Sequence, residues 1–476
     1  MTASRRLARL VAANTIVQIA GNLVGLVLSL VFLRLATETL GVDRFGQLAV
    51  IVSVGGIVAI LADLGVTTTL ARELARDADA AGAIAASLLR FRVASAAAFA
   101  LATLALLPVL PYSRETKLGL AISLVGVFFT TLGSYPKAFF QVHLQLHRQA
   151  LLDLLQKVLN IASIVSVIVA GGGLVTLVVL MAIANAAVCG GAYLLARPFW
   201  RPSLRFDRER ALPVIRDALT LGLVMMLGLL HFRSDAVLLS LLKPAADVGI
   251  YAVSYRFLEQ AFVVPGMLVA TVFPLIARYA HAADPRLDDV LNRSLQVLLL
   301  VGSVATLLIL TLAGPAVALV AGPDFDASVQ PARILASALP VLFVSPVFYN
   351  LLFAVNRQRE LLLIGACALL ANVALNLVLI PRYSYNGAAV ATVVSETFVF
   401  AATFAVALRA RPFDLDWSFF PRAALAAGAA AGAAAAGWTV SAWLAAGLGV
   451  LAFCTSALVA GAVTRSDLRA LLSRPA

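Results

Sequence analysis

The chain has 476 residues, of which 62% are hydrophobic and only 13% charged, with a mean hydropathy of +0.98 and a net charge of +12. Soluble domains carry about 25% charged residues, and here the apolar excess falls into separate blocks of about 20 residues, enough to cross about 30 Å of hydrocarbon as a helix. One large soluble core is excluded, and the pattern predicts an all-α polytopic membrane protein.

The first block, "MTASRRLARLVAANTIVQIAGNLVGLVLSLVFL", has too long an apolar part for a cleavable signal peptide, holds Asn14, Gln18 and Asn22, and lacks a small-residue cleavage site. It reads as a permanent span, 12–36. Five more follow at 46–69, 88–110, 118–140, 152–170 and 174–196. A link, "ARPFWRPSLRFDRERALPVIRDAL", carries six arginines. Beyond it come spans at 218–242, 250–275, 293–314, 332–355, 360–380 and 386–408, then a final pair at 423–440 and 441–463.

With the N-terminus placed in the cytoplasm, basic residues alternate between the loops. Arg5, Arg6 and Arg9, then Arg72, Arg76, Arg90 and Arg92, then Lys137, Arg148 and Lys157 fall on the cytoplasmic side, as do most of the 36 lysines and arginines. This fits the positive-inside rule. Both termini are expected in the cytoplasm, and the basicity is topological, giving no reason to expect a nucleic-acid partner.

The link divides the chain into an N-terminal six-helix lobe (1–196), a basic cytoplasmic linker (197–217), a C-terminal six-helix lobe (218–410), and two extra helices with a tail (411–476). The halves rhyme. The second span opens "GQLAVIVSVGG" at Gly46 and the eighth "GIYAVSYRF" at Gly249, 203 residues later; they end in "LAREL" (70–74) and "IARYA" (276–280). An even number of spans separates them, so the expectation is a parallel repeat about an axis along the membrane normal. The thirteenth span, "AALAAGAAAGAAAAGW", would be a smooth helix open to close helix packing or to a lipid chain.

Charged side chains inside a bilayer usually face a bundle interior or a wet cavity. Those here are Asp63, Arg233, Asp235, Arg256, Glu259 and Glu396, with Arg34 and Arg44 flanking the first outer loop and Asn372 and Asn376 adding neutral polarity. Arg256 and Glu259 are spaced i, i+3 and can pair on one helix face. Arg233 and Asp235, spaced i, i+2, point to different faces and need other partners. One reading is a buried salt-bridge network with no ligand; the other is a hydrated cavity whose arginines grip an anion such as phosphate. Pro136, Pro265, Pro274, Pro340 and Pro346 mark places where spans bend.

Cys189, Cys367 and Cys454 form no disulfide framework or metal pattern. His143 and His147 are i, i+4 without a third ligand nearby and read as a solvated helix surface. Trp200, Trp417, Trp438 and Trp443 fall near span ends, as an aromatic belt would. No nucleotide-binding loop, metalloprotease motif or nucleophile elbow occurs, so neither an enzyme nor a cofactor is expected.

Five stretches carry a resemblance: "LGVDRFGQLAV" (40–50), "DLGVTTTLARELAR" (63–76), "VGIYAVSYRFLE" (248–259), "FPLIAR" (273–278) and "NLVLIPRYSYNGAAVATVVSE" (376–396). In this order the chain resembles the polysaccharide-transport branch of the multidrug/oligosaccharidyl-lipid/polysaccharide exporter superfamily, which includes Wzx-type flippases, over about residues 10–410. The resemblance implies two six-helix lobes that rock around a central cavity, in a plasma membrane. The implied cargo is a polyprenyl-diphosphate-linked oligosaccharide moved to the outer leaflet, with polysaccharide polymerase and glycosyltransferases as partners. It implies head-group contact for Arg233, Arg256, Arg34 and Arg44, and proton or sodium coupling, or ion pairing, for Asp235, Glu259, Asp63 and Glu396. Two other functions compete. A cation-coupled multidrug exporter of the same fold would favour acidic and aromatic cavities, and a non-transporting scaffold for polysaccharide enzymes would need no charged interior.

Overall fold

The computed structural model describes the backbone of residues 2–76, 81–200 and 208–462, with their side chains except at 2–19, 81–83, 208–211, 220, 221, 224, 225 and 229. Expectations that rest on the side chains of Arg5, Arg6, Arg9, Asn14 and Gln18, on most of the basic link, or on the C-terminal tail lie outside the described residues.

Within hydrocarbon a backbone must close its hydrogen bonds on itself, and every regular element among the described residues is helical. They are α1 (Thr2–Asp63), α2 (Val66–Arg76), α3 (Ala81–Leu106), α4 (Arg114–Ser134), α5 (Lys137–Val142), α6 (Leu146–Ala170), α7 (Leu174–Ala196) and α8 (Arg208–Leu242). After these come α9 (Ala245–Ala261), α10 (Val263–His281), α11 (Arg286–Val320), a 3-10 turn (Pro323–Ser328), α12 (Val329–Ala336), α13 (Leu339–Ala354), α14 (Gln358–Ala410), α15 (Phe419–Trp438) and α16 (Ala442–Val459).

At about 1.5 Å per residue, α1 and α14 are far longer than one bilayer crossing needs. Each is broken inside: α1 at Gly41, whose φ of 68° suits a residue without Cβ, and α14 at Ser384, with φ of 48°. By length and composition ten described helices cross a membrane, or eleven if Pro323–Ala336 and Leu339–Ala354, bent by 45°, form one span. Counting α1 and α14 as two crossings each and adding α8 gives fourteen, at the positions the sequence predicts.

The chain forms two compact units, Met1–Gly249 and Ile250–Ala476. In the first, glycines recur every seven residues along α4, a spacing that keeps one seam facing a partner helix. A Cβ on Gly119 would lie 2.5 Å from Ile51 of α1. On Gly126 it would lie 2.9 Å from the Asn185 side chain, and on Gly133 3.1 Å from Cys189 Cα, both on α7. The bare face of α4 thus receives the Ile51 side chain of α1 and lets α7 approach at backbone distance. Near their ends, Trp200 stacks on Phe139 with centroids 4.9 Å apart. His143, spaced for a metal pair with His147, instead packs on Phe199, its Nδ1 2.9 Å from the Phe139 carbonyl.

In the second unit, the Ala/Gly run of α15 buries Ala423, Ala426, Ala430, Ala434 and Gly437 on one stripe. Its partner is α16, which buries Ala445, Ala446, Gly449, Phe453 and Ala457. A Cβ on Gly437 would stand 2.7 Å from Ala445 Cα. Close helix packing, driven by small residues, is therefore what this run does. Trp438 and Trp443 sit at the turn joining the pair, and the Arg333 guanidinium lies 5.0 Å from the Trp438 ring.

Gly126→Leu is expected to cost about 1–3 kcal/mol, the usual range for overpacking a filled interface. Gly428→Ala, at a position with open space around it, is expected to leave thermal unfolding in detergent unchanged. Equal melting temperatures for the two variants would contradict the seam described for α4.

Candidate functional site

The second crossing is interrupted. α1 ends at Asp63, Leu64 and Gly65 adopt left-handed φ of 45° and 74°, and α2 begins at Val66. Such a break leaves helix-end carbonyls and amides that hydrocarbon cannot satisfy. Ser95 donates to the Ala62 carbonyl at 2.7 Å, and beside it Thr67 Oγ1 donates to the Asp63 carboxylate, at Oδ1, at 2.8 Å.

Arg92 of α3 reaches the same place and is only 1% exposed. Its Nε donates to the Thr131 carbonyl at 2.7 Å, Nη1 to Thr67 Oγ1 at 2.7 Å, and Nη2 to Ser134 Oγ at 2.5 Å. Nη1 also lies 2.5 Å from Asp63 Oδ1. The forked guanidinium thus ties the break in the second crossing to α4. Arg92, counted among the basic residues on the cytoplasmic side, is thus buried rather than solvated. The sequence held the signal, because Ala85, Leu88, Arg92 and Ser95 share one helical face, which is buried, while Arg90 points the other way and is exposed. Lys157 is counted on the same side. It is half-buried in α6, donating to Ser29 Oγ of α1 at 2.6 Å, and Gly25 makes room for it, since a Cβ there would come within 2.9 Å of Lys157 Cε.

Beside the Asp63–Arg92 pair lies a cavity of about 330 Å³, whose lining includes Ala59, Ile60, Asp63, Thr68, Thr130 and Met226. Gly65 and Gly222 bring α8 against the break. A Cβ on Gly222 would fall 2.3 Å from the Leu64 carbonyl carbon, and one on Gly65 2.6 Å from the Ala218 oxygen. At the other end of the second crossing a similar approach occurs. A Cβ on Gly46 would overlap the Ala245 carbonyl at 1.8 Å, and Gly249 touches the Gly46 backbone.

α8 carries the charged run singled out in the sequence. His231 and Asp235 are buried, and Arg233 between them is half-buried. Arg34 pairs with Glu38 one turn on. Arg44 is exposed, 3.9 Å from Glu115. The partner of Asp63 is Arg92, none of the four arginines proposed for head-group contact. In the second unit Arg256 and Glu259 form the expected i, i+3 pair at 3.1 Å. Glu396 is buried in the interior of α14, away from any helix end. Around it in sequence, Asn376 donates to Asn372 Oδ1 at 2.9 Å, Asn372 to Ser395 Oγ at 3.2 Å, and Tyr251 and Thr392 hydroxyls meet at 3.1 Å. Among the described residues no group of three His, Cys, Asp or Glu side chains is placed to hold a metal.

Residues 11–280 match the family described as polysaccharide biosynthesis protein. Among curated proteins, none matches this sequence. Among solved structures, the lipid II flippase MurJ in its inward closed conformation is similar with a TM-score of 0.77 at 12% identity, covering 97% of this chain and 100% of its own. An inward-facing multidrug resistance transporter of the MATE family follows with 0.65 at 15% identity, over 81% of this chain and 94% of its own. A superfamily transporter from Pyrococcus furiosus, described by a binding pocket of reverse polarity, gives 0.56 at 16% identity, over 83% and 93%. The fold is that of this transporter superfamily.

Removing Arg92 while Asp63 stays charged strands a carboxylate that is only partly solvated, a change that costs less than the about 3–5 kcal/mol typical of a fully buried pair. Arg92→Leu is therefore expected to lower the unfolding temperature, and adding Asp63→Asn to recover part of the loss. No recovery in the double variant would show that the pair is uncoupled.

Proposed function

The chain belongs to the polysaccharide biosynthesis protein family, and on that premise we propose that it is a flippase for a polyprenyl-diphosphate-linked oligosaccharide. It moves this lipid from the cytoplasmic to the outer leaflet by alternating access, in a plasma membrane with both termini cytoplasmic. The lobes 1–196 and 218–410 rock about the link 197–217, and 411–476 adds the last two helices. The observation that carries this reading is the completeness of the likeness to a lipid II flippase. The remainder it leaves uncovered is shorter than either α15 or α16, whereas the drug transporter leaves about a fifth of the chain unmatched. For that reason the multidrug-exporter reading is not preferred, and a scaffold would need no half-buried arginine such as Arg233.

In this function Arg233 grips the diphosphate, where a forked guanidinium suits phosphate oxygens. Arg256 exchanges Glu259 for the substrate, and Arg34 and Arg44 act at the outer mouth. Asp235, Glu259, Asp63 and Glu396 hold the charge balance or couple transport to protons or sodium. Glycosyltransferases supply the lipid and a polysaccharide polymerase consumes it.

Arg233→Ala should reduce delivery of lipid-linked sugar to the outer leaflet about ten- to a hundredfold, the worth of one charge-assisted hydrogen bond, with Arg233→Lys intermediate. The measurement is surface polymer in cells at matched protein level. Wild-type polymer from the alanine variant would remove Arg233 from the mechanism.

A further inference from the structure

We propose that the cavity beside the interrupted second crossing seats one neutral sugar residue of the lipid-linked glycan, an assignment that rests on the flippase function above. Three features of the cavity select this ligand class.

The first is charge. Asp63 and Arg92 neutralise each other, and the guanidinium already serves Thr131, Thr67, Ser134 and Asp63. A phosphate would meet a carboxylate and find the arginine occupied, so the diphosphate belongs elsewhere. A sugar, with hydroxyls that both donate and accept, meets no such conflict.

The second is the hydroxyl lining. Thr68 and Thr130 lie on the cavity wall, and so does Thr131. Thr131 is only 2% exposed, and its Oγ1 makes no hydrogen bond within the protein. A buried hydroxyl without a partner is a standing cost in a folded protein, and a ligand hydroxyl removes it. Asp63 keeps about a third of its side chain open beside them. Its Oδ1 is taken by Thr67 and Arg92, leaving the rest of the carboxylate able to accept.

The third is shape. Ala59, Ile60 and Met226 add apolar surface to the lining, suited to the C–H face of a pyranose ring. At about 330 Å³ the space falls at the lower end of small-molecule sites, enough for one ring and too small for a whole oligosaccharide. Gly65 and Gly222 bring α8 to its rim, so one sugar sits where a helix of the charged run meets the broken crossing.

The test uses the full-length protein in lipid nanodiscs and two probes, undecaprenyl diphosphate and the same lipid carrying a single N-acetylhexosamine. Wild-type protein should bind the sugar-bearing lipid about tenfold more tightly, the worth of one or two hydrogen bonds. The Thr131→Val variant should bind both probes alike, at the wild-type value for the bare lipid. Its melting temperature should hold, because the Thr131 hydroxyl it removes has no partner to lose. A wild-type protein that does not distinguish the probes overturns the sugar seat and leaves the flippase standing. So does a variant that keeps the preference or weakens both probes equally. If wild-type protein binds neither probe better than phosphatidylglycerol, the flippase reading fails and the seat falls with it.

Discussion

A helix that stops inside hydrocarbon must find partners for the backbone groups it exposes, and this requirement governs the first unit of the protein. At Asp63–Gly65 the second crossing breaks, and Ser95, Thr67 and Arg92 converge on the break. Arg92 has the leading part because one planar group serves a carboxylate, two hydroxyls and a carbonyl from different helices. A lysine, with one nitrogen on a flexible stem, has no such reach. The cavity lies beside that arrangement, and Gly65 and Gly222 let α8 approach the break.

Ion pairing is the second theme. Arg34, Arg44 and Arg256 each lie beside a carboxylate. In the proposed function, pairing of this kind holds these partly exposed arginines neutralised until a substrate phosphate takes the place of the carboxylate. The network without ligand and the cavity with one, posed as alternatives from the sequence, describe two stages of the same cycle in the proposed function.

Much of the fold was legible in the sequence because hydrocarbon imposes one length and one secondary structure on every crossing. All fourteen spans follow from that rule, and even Gly41 and Ser384 fall between predicted spans. What escaped was side-chain destination. Charge counting put Arg92 and Lys157 on the cytoplasmic side and carried no information on their burial or half-burial. Helical register would have shown Arg92 on the buried face with Ala85 and Leu88. The pairing of Arg92 with Asp63 joins different helices, and no local spacing encodes it. By contrast the Arg256–Glu259 pair is local and was readable. The Ala/Gly composition of α15 allowed two destinations, and only the partner helix α16 decides between them.

The contact between Gly46 and the start of α9 is made by backbone against backbone. Neither Gly46 nor Gly249 has a side chain, so the approach itself orders no rotamer at either position. Nothing needs to be repacked when such a seam parts, and nothing needs to be re-sorted when it returns. In the proposed alternating access, a seam of this kind would part and rejoin without side-chain repacking, leaving the timing of the cycle to the charged residues.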